Sequence, residues 1–493
     1  MNVLLGLPLA VPLLGAALSM VVRRLWAQRA ISFVALAIAV GSSLAVLVRV
    51  ITTDEIVVSR LGGWPAAVAI TLVGDRLAAV MLVIATSVLA VVLVFAIGQR
   101  AVDERSPYYH PTYLVLSAGV AQAFLSGDLF NLFVAFELLL MASYVLLTLE
   151  GTDAQVRSGT TYVVLNIVES LVLLTAVGLV FAATGTVSMA ELPARLADLP
   201  DGVRTGLNLL LLVAFGIKAA VFPLFFWLPD SYPTAPSSVT AVFAGLLTKV
   251  GVYALIRTEM LLFPGGQSTL LLWIACLTMI VGVLGAISHS DMKRILSFHI
   301  VSQIGYMVLG IALGTQAAIA ATVLFLVHQI PVKTSLFLVQ GIVERETGTS
   351  AFSDVGGMAR RSGALAALFM LPALSLAGLP PFSGFIGKFA LVRAGFDQDQ
   401  HVVVGIALLG SLLTLVSMTK IWIGVFWGDV RPAVPEGRVG VLRHHRLMSS
   451  ATVVVVGGTL AIAAFAGPLY SFCVSAAAQL VDPSQYIEAV LGS

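Results

Sequence analysis

The sequence predicts an all-α polytopic membrane protein of about fourteen transmembrane helices, and three observations carry that expectation. Hydrophobic residues make up 59% of the chain and charged residues only 11%, against about 25% charged in a water-soluble domain. Apolar runs of about 20 residues, the length that crosses the hydrocarbon core, recur along the chain. Basic residues gather in alternate connections between those runs, as the positive-inside rule describes. A net charge of +2 without a basic tract gives a nucleic acid nothing to grip. Cys276 and Cys473 sit inside apolar runs without metal-ligand spacing and read as small packed hydrophobes.

Spans are expected near 2–22, 30–50, 75–97, 111–127, 129–149 and 160–183. Further spans follow near 206–228, 237–262, 268–287, 298–315 and 317–342, and the last three near 365–394, 402–427 and 449–472. The first apolar run has no positive charge ahead of it, and Arg23, Arg24 and Arg29 come after it. A secretory signal has the reverse order, so the run reads as a first span. Odd-numbered connections hold fifteen basic residues, among them Arg100, Lys293, Arg345, Arg431, Arg438, Arg443 and Arg446, and even-numbered ones hold six, among them Arg257 and Arg393. That bias puts the odd loops in the cytoplasm and both termini outside.

The chain has 21 arginines and six lysines, and the two are sorted differently. Arginines lie in loops or at span ends, whereas Lys218, Lys249, Lys333, Lys388 and Lys420 lie within apolar segments and only Lys293 falls in a loop. A buried lysine can release its proton and an arginine cannot. Glu137 is the one charged side chain of LFNLFVAFELLLMASYVLL, residues 129–147. Left unpaired, these six intramembrane charges cost on the order of 15 kcal/mol on insertion scales. They must therefore be paired, hydrated or neutral, either as a proton path or as ion pairs that lock helices together.

Two spans carry break signals. In GIKAAVFPLFFWLPDSYPTAP, Lys218 precedes Pro223; in AGLPPFSGFIGKF, Pro380 and Pro381 precede Lys388. Interrupted helices in corresponding positions point to a transporter's working site. They divide the chain into 1–110, a first five-helix repeat over 111–262, a second and inverted repeat over 263–428, and 429–493 with the last helix. His328 and Lys333 flank Pro331 and share a helix face only if that proline unwinds the turn. Accessory candidates are the lone carboxylate Glu169 and the polar set His299, Ser302 and Gln303, which could hold waters or join helices.

Four stretches resemble a known family: DLFNLFVAFELLLMASYVLLTL (128–149), KAAVFPLFFWLPDSYPTAPSSVTAVFAGLLTKVGVYALIR (218–257), SHSDMKRILSFHIVSQIGYM (288–307) and GLPPFSGFIGKF (378–389). They look like the antiporter-like subunits shared by Mrp-type multisubunit cation/proton antiporters and the proton-pumping membrane subunits of respiratory complex I. Length and pattern are most similar to the D-type antiporter subunits. The resemblance implies a bacterial plasma-membrane component of a Na+/H+ antiporter, working with the A-type subunit and several small ones and holding no cofactor. The alternative it leaves open is a proton-translocating subunit of an NADH–quinone oxidoreductase or a related hydrogenase complex. It further implies Glu137 and Lys218 as a charge pair, Lys249, His328 and Lys333 as relay groups, and Lys388 as the terminal group. Lys420 joins the path as a further buried lysine. Glu169 stands where the family pattern leads one to expect a small or polar residue.

Overall fold

The computed structural model describes residues 3–63, 70–100, 103–266, 268–429 and 441–492; Arg431 and Arg438 lie outside the described residues. The first eight long helices are α1 (Val3–Val21), α2 (Leu25–Thr53), α3 (Arg76–Gln99), α4 (Tyr109–Leu125), α5 (Leu129–Leu147), α6 (Asp153–Thr184), α7 (Asp201–Ala219) and α8 (Ser237–Leu262). Then come α9 (Ser268–Ser288), α10 (Met292–Leu313), α11 (Gln316–Thr347), α12 (Gly363–Ala377), α13 (Ser383–Phe396), α14 (His401–Phe426), α15 (Arg446–Ala464) and α16 (Ala466–Val481).

Twelve of the helices among the described residues are long and apolar enough to cross a membrane, two fewer than the sequence suggests. The difference lies in α4, which has 17 residues, and in 365–394, which is divided into α12 and α13. The run expected near 449–472 is likewise two helices, α15 and α16. One element is not helical: Val57–Arg60 pairs antiparallel with Thr71–Gly74. Its β-branched residues Val57, Val58, Thr71 and Val73 fit a short ribbon that an all-α reading passes over.

Burial sorts the bundle. The apolar windows of α8 and α11 are 100% buried and that of α10 is 94% buried, whereas α1, α6 and α14 each have 33%. Intramembrane charges must face protein or a wet cavity, so α8, α10 and α11 are where a path can run.

Local construction recurs at a fixed spacing. Adding 163 to Asp128, Thr152, Gly185 and Ser188 gives Asp291, Thr315, Gly348 and Ala351. Asp128 and Asp291 cap α5 and α10 by accepting from the backbone N–H of Asn131 (2.6 Å) and Arg294 (2.8 Å). Thr152 and Thr315 cap α6 and α11, both 32 residues long, and Gly185 and Gly348 end them at φ 75° and 76°. Each aspartate then makes a β-bridge past the two helices that follow, Asp128 to Ser188 and Asp291 to Ala351. Caps satisfy helix-end groups that would otherwise be orphaned, and here one sequence grammar does so twice.

Both interruptions share a second grammar. Helix α7 stops where Ala220 takes φ 61°, and α12 stops where Gly378 takes φ 83°. A cis proline follows three residues later in each case, Pro223 and Pro381. The first chain then resumes as the short helix Trp227–Ser231 and the second as α13. Left-handed backbone ends a helix at little cost for glycine and at some cost for alanine, so the first break is the more tightly specified by its surroundings.

Candidate proton path

Lys218 occupies the last turn of α7, where the carbonyl end of the helix favours a cation. Its Nζ lies 3.9 Å from Glu169 Oε2, and both side chains are buried. The same Nζ sits 5.5 Å from the centre of the Phe136 ring, within cation–π range. Neither Lys218 Nζ nor the Glu169 oxygens have a hydrogen-bond partner among the described residues. The carboxylate at ion-pair distance from Lys218 is thus Glu169 rather than Glu137. Glu137 is half-buried on α5 and accepts the Ser170 hydroxyl of α6. The signal for Glu169 was present in the sequence: it lies on the stripe Tyr162, Asn166, Glu169, Leu173, Ala176 that α6 buries, at the spacing of one helix face.

Helix α8 brings the next lysine alongside. A Cβ at Gly251 would stand 2.6 Å from the Ala219 backbone nitrogen, so only glycine lets α8 ride against the end of α7. Two residues earlier, Lys249 Nζ donates to the Ala244 carbonyl at 2.5 Å and to Thr248 Oγ1 at 3.3 Å. Ala244 belongs to a π-helical turn, Phe243–Leu247, a feature that often marks functional sites because it loosens the backbone ladder. On the other side, Gly245 packs against Thr334 of α11, the neighbour of Lys333. Lys249 therefore stands between α7 and α11.

Lys333 is fully buried, and its Nζ has no hydrogen-bond partner among the described residues; Lys249 and Lys388 are its electrostatic neighbours. Helix α11 continues through Pro331, so His328 and Lys333 look toward different neighbours. His328 Nδ1 meets Ser383 Oγ at 2.8 Å, and Ser383 meets Ser375 at 3.2 Å. That chain links α11 to both sides of the second break. Lys388, on α13, reaches back across the break to the carbonyls of Leu376 (3.0 Å) and Ala377 (3.3 Å). Ser411 Oγ at 3.1 Å and the Tyr306 ring at 4.7 Å complete its surroundings. These are the open carbonyls at the end of α12, the groups a helix terminus leaves for a cation.

The remaining candidates divide. His299 Nε2 meets Ser417 Oγ at 2.8 Å, with Lys333 and Lys388 as electrostatic neighbours, so it belongs to the buried line. Gln303 accepts from Gln329 at 3.2 Å beside it. Ser302 donates to the Met279 carbonyl, and Gly282 leaves room for it, which makes it a joint between α9 and α10. Lys420 is half-exposed and caps the end of α9 through the carbonyls of Ile287 (2.7 Å) and His289 (2.6 Å), three residues after Ser417 on the same helix.

Two basic residues assigned to loops are inside the protein. Lys293 is buried in the first turn of α10, bonded to the Ala235 carbonyl at 2.7 Å and paired with Glu344 at 3.4 Å. Arg257 closes a buried two-point ion pair on Asp75, both contacts at 2.6 Å. A planar guanidinium and a carboxylate fit each other in that way. Charge counting misses both because they sit at span ends, where one turn decides between loop and interior.

A buried line of lysines and histidines, strung between two interrupted helices, is the build of an ion-translocating membrane subunit. The family described as NADH:quinone oxidoreductase/Mrp antiporter, transmembrane, matches residues 126–414, and the chain belongs to it. It is 42% identical to the D subunit of the Na(+)/H(+) antiporter of Alkalihalophilus pseudofirmus, over 100% of both chains. A chain of the Mrp complex from Dietzia sp. superimposes with a TM-score of 0.92 at 33% identity, again over 100% of both. A chain of respiratory complex I from Thermus thermophilus shares the fold, with a TM-score of 0.82 at 24% identity over 97% of this chain and 99% of that one. The protein is accordingly a transporter subunit of the antiporter-like family rather than an enzyme.

Proposed function

We propose that the chain is the D-type subunit of a multisubunit sodium/proton antiporter and that it carries the proton movement. The observation that carries this reading is the buried Lys218–Glu169 pair at the end of an interrupted helix, in a chain 42% identical over its full length to an antiporter D subunit. Protons pass along Lys218, Lys249, Lys333, His328 and Lys388, with Glu137, Glu169 and His299 beside the line. While Glu169 stands close to Lys218, the ammonium form is favoured; moving the two apart weakens that hold and passes the proton toward Lys249. The recurring caps and breaks support two repeated units over 111–262 and 263–428, the second inverted. The A-type subunit and the small membrane subunits are its partners in the bacterial plasma membrane, with both termini outside.

The test is sodium-dependent collapse of a pH gradient in everted vesicles, with the whole gene set expressed in an antiporter-deficient host. Collapse on adding sodium is expected, and its loss in Lys218→Ala and Glu137→Ala with assembly intact. A gradient built only on adding an electron donor, with no response to sodium, would move the protein into the redox-driven class. Full activity in both variants would reduce the buried charges to structural ion pairs.

A further inference from the structure

Helices α3 and α15 lie side by side and antiparallel. A Cβ on Gly98, at the end of α3, would stand 2.8 Å from Leu447 Cβ, at the start of α15. From that junction the two helices run together, and two features share their seam.

The first is an open cavity of ≈ 410 Å³ at the helix ends, lined by Arg100, Arg345, Arg443, Arg446 and His444. None of the four arginines has a carboxylate within 4.0 Å among the described residues. His445 also lines it but is committed to Glu346 at 2.5 Å, which ties the start of α15 to the end of α11. Four guanidinium groups with no carboxylate partner among the described residues, converging on one cavity, make a site for a multivalent or phosphate-bearing anion.

The second is an apolar groove of ≈ 290 Å³ farther along the seam, lined by Val83, Val88 and Val91 of α3, Val454 and Gly458 of α15, and Pro331 of α11. The two helices keep step: Val91 is seven residues before Gly98 and Val454 seven after Leu447. At 1.5 Å per residue the groove begins about 10 Å from the junction and ends near Val83, about 22 Å away. One leaflet of a bilayer, headgroup included, is about 20–22 Å thick.

We infer that the α3–α15 seam is a binding site for one anionic phospholipid, its phosphate among the arginines and an acyl chain in the groove. Neither feature alone selects this ligand. A free anion has no use for the groove, and a neutral lipid has no use for four guanidinium groups. The acyl end lies against Pro331, two residues from Lys333, so the bound lipid touches the helix that carries the central lysine. This assignment does not depend on which ion the protein exchanges.

The experiment is native mass spectrometry of the full-length chain, purified with its assembly and placed in phosphatidylcholine nanodiscs carrying a minor fraction of phosphatidylglycerol. One retained phosphatidylglycerol is expected for the native chain. Arg100→Gln with Arg443→Gln removes two surface-potential contacts and should weaken retention roughly 30-fold. Gly458→Phe should abolish retention by filling the groove, since a Cβ there meets nothing within 4 Å. Gly457→Phe, on the exposed neighbour that equally meets nothing, should leave it unchanged. Equal retention in the arginine and Gly458 variants would overturn the inference. So would release of the lipid by excess inorganic phosphate, which would make the cavity a free-anion site. Should the variants fail to assemble, a phosphatidylglycerol with a photoreactive acyl chain decides on the native chain. Labelling of α3 and α15 across the groove supports the site, and labelling elsewhere alone refutes it.

Discussion

The two halves of the bundle share their caps and breaks but carry opposite charge beside them. On α5 and α6 the first half places Glu137 and Glu169; near the same positions, 163 residues on, α10 and α11 carry His299 and Lys333. Lys218 therefore has a carboxylate at 3.9 Å. Lys388 has none within 4.0 Å among the described residues and rests on two helix-end carbonyls, a serine and a ring. The first half holds its cation by charge and the second by dipoles. Uncompensated charge at membrane depth is costly, so Lys333, His328, His299 and Lys388 cannot all be charged together. On the path proposed above, a proton arriving from the compensated half would displace one farther along.

The largest expected effect breaks the comparison at its acidic side. Glu169→Gln leaves Lys218 buried without its partner, a loss of about 3–5 kcal/mol for a broken buried pair. That loss is one of folding stability, so the amount of assembled protein should fall, and transport per assembled complex should drop by more than about tenfold. Lys333→Met removes an amine that has no hydrogen-bond partner among the described residues, so it should stop transport while the amount of assembled protein stays at the native level. The two variants are compared by sodium-driven dye response and by immunoblot of the assembled complex. If Glu169→Gln transports normally while Glu137→Gln does not, the charge asymmetry belongs to α5 alone.

How far the sequence revealed these halves depends on which forces act locally. Span positions follow from runs of apolar residues, and the breaks at Pro223 and Pro381 follow from backbone groups that proline cannot supply. The buried lysines were visible because they stand well inside apolar segments, whereas the arginines stand in loops or near span ends. Pairing was not, since it depends on which helix faces which. Glu169 meets Lys218 because α6 buries the stripe through Tyr162 and Asn166, which turns Glu169 toward the end of α7. Lys420 looked like its fellows by hydropathy, yet it is half-exposed and caps α9. The constant spacing from Asp128 to Asp291 was legible residue by residue, but nothing singled out two aspartates until both were seen to cap helices.

A smaller effect tests whether dipoles alone hold Lys388. Ser411→Ala removes one of its three hydrogen-bond partners and leaves both carbonyls. A hydrogen bond to a charged group contributes about 1.5–3 kcal/mol, so transport should drop by about tenfold. Tyr306→Phe keeps the ring that faces Lys388 and loses only the hydroxyl, which donates to the Ala407 carbonyl at 2.6 Å. It should change transport less than Ser411→Ala does. Equal losses in the two would mean that packing of α10 against α14, rather than the ammonium's own partners, sets the rate.

The last effect is on stability rather than transport, and it lies at the cap that opens α5. Asp128 accepts from the Asn131 backbone through one oxygen, while its other oxygen has no partner among the described residues. Burial pushes its carboxyl up to about 6, against the backbone hydrogen bonds that lower it. A folded-state value above the unfolded value of about 3.9 means that the acid stabilises the fold most below pH 4. That contribution fades as pH rises through 6 and amounts to about 2–3 kcal/mol at 1.36 per unit. Asparagine also caps helices, so Asp128→Asn keeps the cap and removes the titration. Thermal unfolding of the purified assembly should then show a higher melting temperature than the native chain above pH 6 and none of that gain below pH 4. A variant less stable than the native chain at pH 8 would mean that the aspartate is held as a charged cap, and that the first half is compensated at its edge as well as at Lys218.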